Sequence, residues 1–143
     1  MIFTTLIAAF LAAVTVAVHA AGFSLILRFL IKRSSALPIQ MWPVVWLLIR
    51  VTLWLILIHL AEIAIWGGFY LWGGCLPDVE SAFYFSGVTF TTVGYGDLVL
   101  ARPWRILCPI EAVTGSLMSG LSAALFFAIL SRLYMWRFQT KPK

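Results

Sequence analysis

Three stretches of this chain are each long and apolar enough to cross a bilayer, and no other feature limits its fold so sharply. A helix needs ~20 mostly apolar residues to traverse the hydrocarbon core. Residues 2–27 carry no charge and end at Arg28, Lys32 and Arg33. Residues 43–70 are apolar apart from Arg50, His59 and Glu62, and residues 104–136 apart from Arg105, Glu111 and Arg132. Across all 143 residues 63% are hydrophobic and 10% charged, against roughly 25% charged in a soluble domain. That is too little polar surface to solvate a globule, which argues against a cytosolic enzyme or a nucleic-acid-binding domain. The net charge of +5 is spread along the chain and forms no basic patch. An all-α membrane protein of one domain is expected.

Lysine and arginine orient the spans. Arg28, Lys32, Arg33 and Arg50 lie between the first two spans or just inside the second, and Arg132, Arg137, Lys141 and Lys143 lie at the end of the third or beyond it. With three spans these share one side, leaving Arg102 and Arg105 on the other. The positive-inside rule then puts the N-terminus outside, the C-terminus and its basic tail (residues 137–143) inside, and the 71–103 loop outside. Val18-His19-Ala20 resembles a signal-peptide cleavage site. The start lacks a positive n-region, however, and its apolar run is too long for an h-region, so residues 1–33 read as a spanning helix. Neither the short loop after Arg33 nor the tail is large enough for a ligand-binding domain. The first span has no arginine ladder of the voltage-sensing kind.

The 71–103 segment is different in kind. It contains Gly73, Gly74, Pro77, Pro103, Asp78, Glu80 and Asp97, with an apolar run at 82–93 that is too short to span. Asp78 and Glu80 suit a helix N-terminus. A helix over 79–91 running inward would point its negative end at the membrane centre and favour a cation there. Residues 89–97 follow as Thr-Phe-Thr-Thr-Val-Gly-Tyr-Gly-Asp. Gly94 and Gly96, at alternate positions, permit positive φ. A chain alternating such residues with extended ones can aim successive carbonyls to one side. Four copies about an axis then stack rings of oxygens that replace a cation's water shell. Thr92 adds a hydroxyl. Val93 and Tyr95 are expected to turn away and pack on surrounding helices, and Asp97 to concentrate cations at the outer mouth. Irregular backbone at this depth is tolerated only where protein buries it or it lines an aqueous path.

These residues resemble the pore signature of potassium channels, Thr89-x-x-Thr92-Val93-Gly94-Tyr95-Gly96-Asp97. Six fixed residues in a row arise by chance about once in 10⁷ to 10⁸ positions at average residue usage. The resemblance covers residues 43–136 and leaves the first span outside, since the simplest relatives have two spans. It implies a two-span pore domain with outer helix 43–70, reentrant pore helix 79–91, selectivity filter 92–97 and inner helix 104–136, plus one extra N-terminal transmembrane helix. It also implies K⁺ bound by Thr92, Val93, Gly94 and Tyr95, with Gly96 and Asp97 in support. The tyrosine at the fourth position favours K⁺ over a nonselective cation pore. One filter strand per chain implies a homotetramer embedded in lipid, in the cell membrane and, from its compact form, a bacterial inner membrane. No cofactor is implied beyond the permeant K⁺. The alternatives are a non-conducting regulatory or assembly subunit and a nonselective cation channel. An enzyme is not expected, because no nucleophile–base arrangement stands out.

Some small bacterial relatives pair a pore-helix glutamate with the aspartate after the filter, and the matching position here is Val88. The Tyr84 hydroxyl is a candidate donor to Asp97 instead; the other reading of Tyr84 is an interfacial aromatic. Gly115 fits either an inner-helix hinge or close helix packing, and Pro109 a kink. If Gly115 is the hinge, Ser116, Ser119, Ala123 and Phe127 face the pore, with Phe127 able to close it by dewetting. Glu62, ~28 Å along its helix from Pro43, is expected near the outer interface, with His59 one turn away on the same face. That pair reads as packing or interface residues, or as a pH sensor. Glu111 either braces the back of the filter or pairs with Arg105. Arg50 is expected to snorkel to the cytosolic surface. Cys75 and Cys108 are either a disulfide across the pore loop or two buried thiols. No Cys/His spacing reads as a transition-metal site.

Overall fold

The apolar residues of the long helices do not gather on one stripe. They clothe each helix all round, as expected where lipid covers what protein does not. In the computed structural model, which describes residues 2–33 and 41–139, the chain is all-α, with no strand among the described residues. Helix α1 runs Ile2–Arg33, α2 Met41–Trp72, α3 Val79–Phe90 and α4 Leu107–Gln139, the last preceded by a single 3₁₀ turn at Trp104–Ile106. Three helical stretches are long and apolar enough to cross a membrane, Ile2–Lys32, Trp42–Trp72 and Trp104–Arg132. Helix α4 continues well into the stretch read as a tail, and residues 140–143 lie outside the described residues.

Tryptophans mark both ends of α2. Trp42 and Trp46 are exposed near its start and Trp72 at its end, ~45 Å apart along the axis. That separation matches the ~40–45 Å between the two headgroup layers, where tryptophan prefers to sit.

Two apolar clusters hold the bundle. One joins Ile26 of α1, Val51, Leu55 and Ile58 of α2, and Ile129 of α4. The other gathers Leu11 of α1, Trp66 and Tyr70 of α2, Phe85 and Phe90 of α3, and Leu107 of α4. The start of α1, the end of α2 and the start of α4 therefore share one end of the molecule, together with the 73–106 segment. Helix α3 packs between α2 and α4, whereas α1 lies against α2 and α4. Pro109 falls in the first turn of α4, where its missing N–H costs little, and α4 is one unbroken helix through it.

Candidate functional site

Asp78 starts α3 as its N-cap. Its carboxylate accepts from the Ser81 N–H at 2.9 Å and from the Ser81 hydroxyl at 2.8 Å, satisfying a donor the first helical turn leaves free. These bonds hold the Asp78 carboxyl below the usual carboxylate range. Glu80 stands in the first turn. At 12 residues the helix is ~18 Å long, too short to span. It ends at Phe90, with Thr91 as C-cap.

Past this cap the backbone alternates. Positive φ occurs at Thr92 (60°), Gly94 (53°) and Gly96 (78°). The glycines were legible from sequence; Thr92 was not, since a β-branched residue rarely takes a left-handed conformation. The Thr92 N–H donates to Thr89 O at 3.0 Å, that of Val93 to Val88 O at 3.0 Å and that of Gly94 to Val88 O at 3.3 Å. The last turn of α3 thus anchors the first half of the segment. Every residue from Thr92 to Asp97 is exposed within the single chain. Tyr95 is 73% exposed and Val93 52%, so the chain's own helices do not cover these two side chains as expected. A cavity of about 440 Å³ lies behind the segment, lined in part by Tyr84, Val88, Gly94, Asp97 and Cys108.

The Tyr84 hydroxyl donates to Asp97 Oδ2 at 2.7 Å. This bond is the main reason the Asp97 carboxyl sits below its usual range. The α3 side chain that meets the aspartate is therefore a tyrosine, one turn before Val88.

Deeper in, Glu111 of α4 is completely buried. It accepts from the Tyr70 hydroxyl of α2 at 2.5 Å and from the Ser86 hydroxyl of α3 at 2.6 Å. The Ser86 oxygen also lies 2.9 Å from Ile63 O. One carboxyl joins three helices behind the segment, which decides the two readings of Glu111. Arg105 instead donates from Nε to Leu100 O at 3.0 Å. Gly115 is buried, and a Cβ there would run into the Phe90 carbonyl. The glycine is thus required for close approach of α4 to the foot of α3. Ser116, Ser119, Ala123 and Phe127 form an exposed face of α4, and Gly120 is open too. Cys75 and Cys108 are free thiols.

Glu62 differs from expectation. It is 0% exposed, because α1 packs over the face of α2 that carries it. Its Oε1 accepts from His19 Nδ1 at 2.7 Å and its Oε2 from His59 Nδ1 at 2.8 Å. His59 Nε2 lies 3.1 Å from the Ser122 hydroxyl of α4. His19 was missed as a partner. It stands 43 residues from Glu62, and the all-round apolar pattern of α1 gives no sign of which face meets α2. Nearby, Trp66 Nε1 donates to Thr15 Oγ1 at 3.0 Å.

A family model described as ion channel matches residues 56–132, more than half the chain. No curated protein and no solved structure matches it.

Proposed function

Because the chain belongs to the ion-channel family, we propose that it forms a homotetrameric channel that passes K⁺ selectively and passively down its gradient. The observation that carries this reading is the alternation of positive φ at Thr92, Gly94 and Gly96. It falls within the sequence Thr-Val-Gly-Tyr-Gly-Asp, at the C-terminal end of a helix too short to span. Alternation of this kind lets the carbonyls of Thr92, Val93, Gly94 and Tyr95 face a common axis. Four chains then offer stacked oxygen rings in place of the hydration shell, and neighbouring ions displace one another through them. The Thr92 hydroxyl completes the inner end. The negative end of α3 stabilises an ion arriving from the inner side, and Asp97 gathers cations at the other mouth.

The tetramer follows from the same residues. One strand cannot surround an ion, and the exposed Val93 and Tyr95 need neighbours to hold the ring diameter. On this reading the exposed α4 face with Ser116, Ser119, Ala123 and Phe127 turns to the ion path, and Phe127 supplies a hydrophobic constriction. Gly115 serves packing instead. The cytosolic side is the one bearing Arg28, Lys32 and Arg132, which leaves both the N-terminus and the 73–106 segment outside. The membrane is that of a bacterial cell.

The test is single-channel recording from purified protein in planar bilayers with asymmetric KCl and NaCl. The expected reversal potential follows K⁺, and Gly94→Ala, which strains a left-handed position, abolishes selective current. A reversal potential that follows Na⁺ removes the selectivity claim. Silence from a well-folded tetramer removes conduction and leaves the regulatory-subunit alternative.

A further inference from the structure

We propose that His19, His59 and Glu62 form a binding site for a divalent transition-metal ion of the zinc type, joining α1 to α2 beside α4. The ligand atoms of these three residues all lie within 4.8 Å of one another. Two imidazoles and one carboxylate are a set that zinc takes with a fourth position open for water or another oxygen. Ser122, whose hydroxyl is 3.1 Å from His59 Nε2, meets the far edge of that ring and fixes its orientation, as an outer partner of a ligating histidine does. Ligands on one tetrahedral ion are ~3.4 Å apart at ~2.1 Å bond lengths. The cluster therefore has to spread at its Glu62 contacts of 2.7 and 2.8 Å and draw its imidazoles together, which side-chain torsions supply.

Two further observations favour an ion over a purely hydrogen-bonded tie. First, the protein does not complete the network. His19 Nε2 is buried with no partner among the described residues, whereas buried polar groups are nearly always paired. Second, the protein does not seal the site, because the His59 side chain is 22% exposed while those of His19 and Glu62 are 3% and 0%.

The site also has a neighbour of consequence. The His59 ring lies 6.0 Å from the Phe90 ring at the end of α3, and the Phe90 carbonyl is the group packed against Gly115. An ion here fixes α1 against the outer helix at the level where α3 meets the 92–97 segment. The proposal concerns metal binding alone and stands independently of potassium conduction.

The experiment uses full-length, tag-free protein in lipid nanodiscs, stripped with EDTA and titrated with ZnCl₂ against a chromophoric chelator. The expected result is one zinc per chain. His19→Gln, His59→Gln and Glu62→Gln should each weaken binding by at least about 100-fold, since losing even an outer partner of a ligand costs about 10–100-fold. Cobalt substitution supplies a second readout. Visible bands of a four-coordinate nitrogen–oxygen site, without thiolate charge transfer, place the metal at His19, His59 and Glu62 even if the variants misfold. Wild-type protein that takes up no metal overturns the proposal. So does binding unchanged in all three folded variants, or a thiolate signature that puts the ion on Cys75 or Cys108.

Discussion

Two buried carboxyls sit in the spanning helices of this channel, and their surroundings differ. Glu111 is met by hydroxyls, those of Tyr70 and Ser86. Glu62 is met by imidazoles, those of His19 and His59. Both are 0% exposed. A hydroxyl can donate to a carboxyl but binds zinc-type ions poorly when neutral, so the Glu111 junction is a structural tie. It fastens α3 to α2 and α4. Imidazoles are both donors and metal ligands, so the Glu62 junction can exchange its hydrogen bonds for coordination. The first junction lies within the 56–132 stretch that matches the ion-channel family, and the second draws its extra ligand from α1, outside that stretch. The buried carboxyl inside the matched stretch is met by hydroxyls, and the one that reaches α1 is met by imidazoles, beside the Trp66–Thr15 hydrogen bond that also joins α1 to α2.

The sharpest way to break this comparison is to remove Glu111. Glu111→Ala leaves the buried Tyr70 hydroxyl without its acceptor, at a cost of about 1–3 kcal/mol, while Ser86 keeps the Ile63 carbonyl, and opens a cavity besides. A loss of about 2–5 kcal/mol is expected in SDS-titrated unfolding from mixed micelles. Glu111→Gln, which keeps an acceptor and can turn its amide to the other hydroxyl, should lose no more than about 1 kcal/mol. Glu62→Ala should cost less than Glu111→Ala, because His59 keeps its contact with the Ser122 hydroxyl. Equal losses at the two positions would end the distinction between a tie and an exchangeable site.

The next effect is at Gly115, where α4 meets the foot of α3. A methyl group there drives into the Phe90 carbonyl, which is backbone and cannot swing aside. Gly115→Ala is expected to cost about 1–3 kcal/mol by overpacking in the same unfolding assay. Gly120→Ala, which meets open space, should be neutral to folding. If Gly115→Ala unfolds like wild type, α4 is free to shift and the hinge reading returns.

Length and apolarity made the spans readable, and the chemistry of Asp78, Gly94 and Gly96 made α3 and the segment after it readable. Those signals are local: a cap within three residues, a glycine at its own φ. What stayed hidden was pairing between helices. An amphipathic helix announces its buried face, but α1 and α2 are apolar all round, so nothing in the sequence turned His19 toward Glu62 or Tyr70 toward Glu111. Distance along the helix also misled for Glu62. Its cost depends on whether another helix covers it, which axial position does not tell. The φ of Thr92 was hidden for a different reason. It is held by the Thr89 carbonyl, which takes the residue's own N–H, and the Val88 carbonyl, which takes the N–H groups of Val93 and Gly94, against the residue's own preference.

The smallest effect concerns a third carboxyl, at the surface. Asp97 is exposed, and the Tyr84 hydroxyl holds its carboxyl below the usual range. A depressed carboxyl keeps its charge, and the contact that depends on it, at all pH above the ordinary range. Both are lost as pH falls through the depressed value. Tyr84→Phe removes the donor, so the Asp97 carboxyl returns toward its usual range and protonates at higher pH. Acid inhibition of the channel current should therefore set in at a higher pH in the variant, with currents alike above about pH 6, where an ordinary Asp is ionised in either protein. Global stability should barely change, because the pair is solvated and nothing is left buried and unpaired. The measurement is current against external pH for both proteins in the same lipid. Superimposable profiles would mean that this hydrogen bond is incidental to the mouth. An acid shift accompanied by unfolding would move Tyr84 and Asp97 into the class of Glu111, as a tie that holds the fold.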